Sequence, residues 1–160
     1  MPIFLTHVIA RWAEIYSGSA ALRTVVAFVH VAGLVGGGGA AVVADRATLI
    51  ATRRGSVLGR ERLEAIHNTH WIVVLGLAAV IVSGVLLFAA DLETYAASRV
   101  FWTKMAMVAA LMINGAVLTQ LGRRGQPADA RLQQSLRWAA AISVTLWFLT
   151  TLAGTALPNV

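Results

Sequence analysis

Four apolar stretches govern what this chain can fold into: residues 22–44, 66–89, 100–121 and 136–157. Each matches the roughly 20 residues that a helix needs to cross a hydrocarbon core about 30 Å thick. A lone strand cannot satisfy its backbone in lipid, so all four read as helices. The linkers are short, which makes consecutive helices antiparallel neighbours. The expectation is an all-α integral membrane four-helix bundle, one transmembrane domain over residues 1–160, with the lipid bilayer as solvent. Composition agrees. The chain is 58% hydrophobic and 12% charged, more apolar surface than a soluble core of this size hides.

The opening residues, "MPIFLTHVIARWAEIYSGSA", do not read as a signal peptide. No basic segment precedes the apolar part, and Arg11 and Glu14 interrupt it. Ile3, Leu5, Val8, Ile9, Trp12, Ile15 and Tyr16 follow a helical stripe, so residues 1–20 are expected to form a short interfacial amphipathic helix. His7 falls in its headgroup region.

Net charge is +6. The basic residues lie between apolar segments rather than in one patch, so they report topology and not nucleic-acid binding. The first linker and its flanks carry Arg46, Arg53, Arg54, Arg60 and Arg62; the third carries Arg123, Arg124, Arg131 and Arg137. The second sets Arg99 against Asp91 and Glu93. The bias places the first and third linkers in the cytoplasm and both termini outside. The chain has no cysteine, which excludes disulfides, thiol catalysis and iron–sulfur clusters. It also lacks a P-loop, a carboxylate dyad and a hydrolase triad.

One imidazole stands inside a span. In "AFVHVAGLVGGGG", His30 precedes a run of small residues, and on a regular helix His30, Gly33, Gly37, Ala41 and Ala44 share a face. Two readings stay open. Gly33 and Gly37 form a GxxxG pair that lets two membrane helices pack closely, with His30 bonded to a neighbour. Alternatively, the smooth surface beside the imidazole admits a flat cofactor, haem b, with His30 on the iron.

Lys104 lies near the start of the third span, in "FWTKMAMVAALMINGAVL", on the same expected side as His30. It either reaches inward to face His30 or extends to the outer headgroups beside Trp102. His67 and His70, in "RLEAIHNTHW", share a helix face at the cytoplasmic start of the second span. They are weaker candidates for a metal or a second haem. The alternative is an interfacial pair bonded to water, Asn68 or lipid phosphate.

Asp45, Arg46 and Glu64 read as interfacial ion pairs. Asn114 and Gly115 suggest close packing with one interhelical hydrogen bond. Ser143, Thr145, Thr150, Thr151 and Thr155 read as packing residues of the fourth span.

"VVAFVHVAGLVGGGG", followed two helices later by "FWTKMAMVAALMINGAVL", resembles a group of small bacterial membrane proteins. The group includes the membrane haem-type protoporphyrinogen oxidase (HemJ) family, the copper-resistance D domain (CopD) family and relatives. The resemblance covers residues 22–122. It implies that His30 and Lys104 are the functional pair associated with haem. The oxidase's two Tyr-His pairs have no counterpart, since "AAVVADR" and "ING" stand in their places. The resemblance therefore extends to the fold and the haem pair rather than to porphyrinogen oxidation.

The expectation drawn is a b-type haem protein in redox or electron transfer. The alternatives are a cofactor-free accessory subunit of a larger membrane complex or homo-oligomer, and a small copper-handling or transport protein.

Overall fold

The computed structural model describes residues 3–53, 60–124 and 130–157. Within these, the side chains of residues 3, 5, 52, 53, 60–70 and 122–124 are outside the description. The elements are α1 (Ile3–Gly18), α2 (Ala20–Gly33), a π turn (Leu34–Gly38), α3 (Gly39–Arg53), α4 (Arg60–Ala90), α5 (Leu92–Ala97), α6 (Arg99–Arg124) and α7 (Ala130–Ala156). No strand occurs among the described residues. The fold is all-α, and four helical segments are long and apolar enough to cross a membrane: Ala20–Ala51, Trp71–Ala90, Arg99–Leu121 and Ala130–Ala156.

The boundaries follow from local chemistry. Ser19 separates α1 from α2 by capping α2, its hydroxyl accepting from the Leu22 amide at 3.2 Å. That satisfies one of the amide groups a helix start leaves unpaired. Asp91 does the same for α5, accepting from the Thr94 amide at 3.4 Å. The second linker thus holds a helical turn of its own. The first span runs 32 residues, or about 48 Å at ~1.5 Å per residue, so it extends beyond the 22–44 stretch marked by hydropathy.

Its glycine run is not regular α-helix. Leu34–Gly38 forms a π turn, in which each carbonyl bonds one residue further along than in an α-helix. The extra residue shifts the helical phase. Gly33, Gly37 and Gly38 are buried, and so is Asp45, seven residues after Gly38.

The chain divides into two compact units, Met1–Gly38 with Ile72–Ser98, and Gly39–Trp71 with Arg99–Val160. In the first, α1 packs on α2. Trp12 Nε1 donates to the Leu86 carbonyl of α4 at 2.8 Å, and Trp12 also meets Tyr16 at 5.8 Å between ring centres. In α1, Phe4, Val8 and Ile15 are exposed, and Arg11 pairs with Glu14 at 3.7 Å on the surface. The stripe residues Ile9, Trp12 and Tyr16 are half-buried, while Phe4, Val8, Arg11 and Ile15 share an exposed face.

In the second unit, α3 and α6 both pack on α7. The buried residues of α7 are Ala139, Ala140, Ser143 and Thr150. All are small, so helix axes approach closely. Asn114 of α6 donates to the Ala139 carbonyl at 2.9 Å, which is the interhelical bond expected of it. Large side chains including Phe28, Val35, Trp102 and Phe148 face outward, as suits helices whose surroundings are acyl chains.

Candidate functional site

His30 lies on α2 in the first unit. Its Nδ1 is 2.9 Å from Ser83 Oγ of α4. The Ser83 hydroxyl donates to the Ala79 carbonyl one turn back, at 2.5 Å. A hydroxyl has one proton. With that proton on Ala79, the serine oxygen accepts from Nδ1–H and the ring lone pair is on Nε2; in the other tautomer Ser83 donates to Nδ1. Ser83 is 2% exposed, so this relay sits inside the helix contact. Gly84 makes room for the ring: a Cβ there would lie 3.4 Å from His30 Cε1.

Gly33 and Gly37 hold the two helices at this spacing. A Cβ on Gly33 would meet the Gly76 carbonyl oxygen at 2.9 Å, and one on Gly37 would meet the Gly76 Cα at 2.8 Å. Both are below any normal carbon contact, and the obstacle is backbone that has no rotamer to change. A Cβ on Gly76 would collide with Gly37 in turn. The surface offered by Gly33 and Gly37 is thus filled by α4, which is the packing use of the pair rather than a slot for a flat molecule.

Lys104 lies on α6 in the second unit, half-buried. Its Nζ lies 3.2 Å from where a Cβ on Gly154 of α7 would stand. The glycine gives the ammonium group its place. Among the described residues Lys104 forms no ion pair. Within its own unit His30 meets Ser83, and within its own unit Lys104 meets the Gly154 position. The side chains of His67 and His70 lie outside the described residues, as does that of Glu64.

Asp45 departs from its reading as half of an interfacial ion pair. It is 8% exposed, its carboxyl hydrogen-bonds Ser143 of α7, and Oδ2 has no hydrogen-bond partner. The helix continues past Asp45 to Arg53, so the carboxylate lies within the span rather than at its end. Arg46, the next residue, is exposed.

The sequence reading also passed over Ser83 and Gly76. Both are small residues inside "WIVVLGLAAVIVSGVLLFAA", and a lone serine in such a run was the available signal.

Two further features complete the inventory. A surface hollow of about 320 Å³ is lined by Ala130, Gln133, Gln134, Arg137 and Trp138; it includes none of the residues above. No group of three or more His, Cys, Asp or Glu side chains placed to hold a metal ion occurs among the described residues. Comparisons with protein-family models, curated proteins and solved structures return no match to this chain.

Proposed function

We propose that this chain binds a b-type haem in a bacterial cytoplasmic membrane and serves in electron transfer, with His30 as an axial ligand. The observation that carries the reading is the His30–Ser83–Ala79 hydrogen-bond relay. Ligating histidines characteristically donate their other ring N–H to a fixed acceptor, which orients the ring and raises the basicity of the ligating nitrogen. With its own proton on Ala79, Ser83 is such an acceptor for Nδ1–H, and the nitrogen it leaves basic is Nε2. In this respect the donor set fits the group.

Gly33 and Gly37 contribute by position, bringing α2 and α4 close enough for the imidazole to meet Ser83. They do not cradle a macrocycle, because Gly76 covers them. The resemblance to the haem-type oxidase group adds Lys104, which ligates iron only as the neutral amine. Bound haem supplies a reversible one-electron couple, and the axial ligand and low-dielectric surroundings tune its potential. The arginine-rich first and third linkers support an orientation with both termini outside.

A second reading has its own support. The Gly33–Gly37–Gly76 contact is helix packing that requires no cofactor, as in an accessory subunit of a larger membrane complex or a homo-oligomer. Colour separates the two. Protein purified from haem-replete cells shows a Soret band on the first reading and none on the second.

A further inference from the structure

We propose that the second unit carries protons along one face of α7, between Asp45 and Lys104. Three observations in that unit lead to it. Asp45 Oδ2 is buried inside a span with no hydrogen-bond partner. Thr150 is 4% exposed and its Oγ1 is also without a partner. Lys104 Nζ rests against Gly154. Ser143, Thr150 and Gly154 fall on one face of α7, at spacings of seven and four residues. Asp45 meets that face at Ser143 and Lys104 meets it at Gly154.

The face carries two buried hydroxyls, with Trp147 between them, and ends on a glycine. Orphaned polar atoms inside proteins are rare and ask for an explanation, and ionisable residues inside spans mark ion or proton pathways. Ser143 and Thr150 are about 10 Å apart along the axis, and Thr150 and Gly154 about 6 Å. Crossing those gaps requires bridging water, for which Asp45 Oδ2 and Thr150 Oγ1 are the unpartnered hydrogen-bonding atoms among the described residues. Thr48, one turn further along α3, continues the polar positions beyond Asp45. Among the described side chains of the packed helices, the other charged groups (Arg46, Arg99, Arg131 and Arg137) are exposed.

The transfer involves only O–H and N–H bonds. Protonated Asp45 gives its proton to Ser143 Oγ as Ser143 passes its own to water. Water passes one on to Thr150, and Thr150 passes one by water to the neutral Lys104 amine. One proton enters and one leaves, and no electron moves. The proposal shares Lys104 with the haem reading, whereas Asp45 and Thr150 belong to it alone, and the variants that test it change only those two.

The test uses purified full-length protein in liposomes holding a pH-sensitive dye, with a potassium diffusion potential as driving force. Wild-type protein should move protons above the rate of protein-free liposomes. Asp45→Asn should lower the rate by about tenfold or more. Thr150→Val should also lower it, and Thr150→Ser, which restores the hydroxyl, should retain it. Thr119→Val, at an exposed position of α6, should behave as wild type. Circular dichroism and gel filtration on each variant separate loss of transport from loss of fold. Wild-type liposomes no faster than empty ones would overturn the proposal, as would a folded Asp45→Asn variant with wild-type flux. Soret absorbance read on the same samples scores the haem reading separately.

Discussion

Gly37 and Gly76 meet backbone to backbone, so closely that a Cβ on Gly37 would fall 2.8 Å from the Gly76 Cα. Overpacking a tight contact usually costs about 1–3 kcal/mol, and a clash with backbone belongs at or above the top of that range. Gly37→Leu and Gly76→Leu should each lower the thermal midpoint in detergent and reduce accumulation. Gly115→Ala is the control. A Cβ there meets nothing within 4 Å, and alanine favours a helix interior over glycine by about 1 kcal/mol. Equal melting of all three variants would mean that the glycine contact does not hold α2 to α4.

The Trp12 indole is the polar anchor of α1, donating to the Leu86 carbonyl. Trp12→Phe keeps an aromatic ring and removes the donor, a loss of about 1 kcal/mol. It should speed proteolysis within α1 while leaving the melting of the remaining helices near wild type. Unchanged cleavage would show that the ring alone holds α1 in place.

Tyr95, in the second linker, has its hydroxyl pushed above the ordinary tyrosine range, first by burial and then by the negative charge of Asp91 and by Tyr16. A raised folded-state value means that the unfolded chain loses this proton first. The contribution of Tyr95 is whole below about pH 10, the ordinary value, and is lost as pH rises through the folded-state value. Stability should therefore fall above that point, and Tyr95→Phe should blunt the fall. Phenolate absorbance gives the check: the chain has two tyrosines, and the variant should lose the component that titrates at higher pH. A Tyr95 that ionises at or below the ordinary value would contradict its buried setting.

Orientation is testable with single cysteines, since the natural chain has none. Gly55→Cys and Gln126→Cys should resist an impermeant thiol reagent added outside intact cells, and Thr94→Cys should react. The reverse pattern would invert the topology derived from the arginine-rich linkers.

The spans were legible in the sequence because bilayer thickness demands long apolar runs, and because arginine between those runs is conspicuous. His30 and Lys104 stood out for the same reason, as ionisable groups in apolar surroundings. Gly76 did not, since GxxxG identifies one helix of a contact and not its partner. Ser83 looked like one more small residue until the backbone placed it opposite His30. Asp45 was misread because hydropathy ends the first span at residue 44 and puts the carboxylate at the surface, whereas the helical span runs on to Ala51. Asn114 was read correctly because an amide in a span has few uses other than an interhelical hydrogen bond.

The central claim concerns His30, and the absorption spectrum of protein purified from haem-replete cells tests it most directly. Wild type should show a Soret band, and His30→Ala should lose it while remaining folded. Ser83→Ala should weaken haem retention by about 10–100-fold, the usual cost of removing a ligand's hydrogen-bond partner. His67→Ala and His70→Ala should keep the band. A colourless wild type, or a folded His30→Ala variant with its full haem content, would contradict the account.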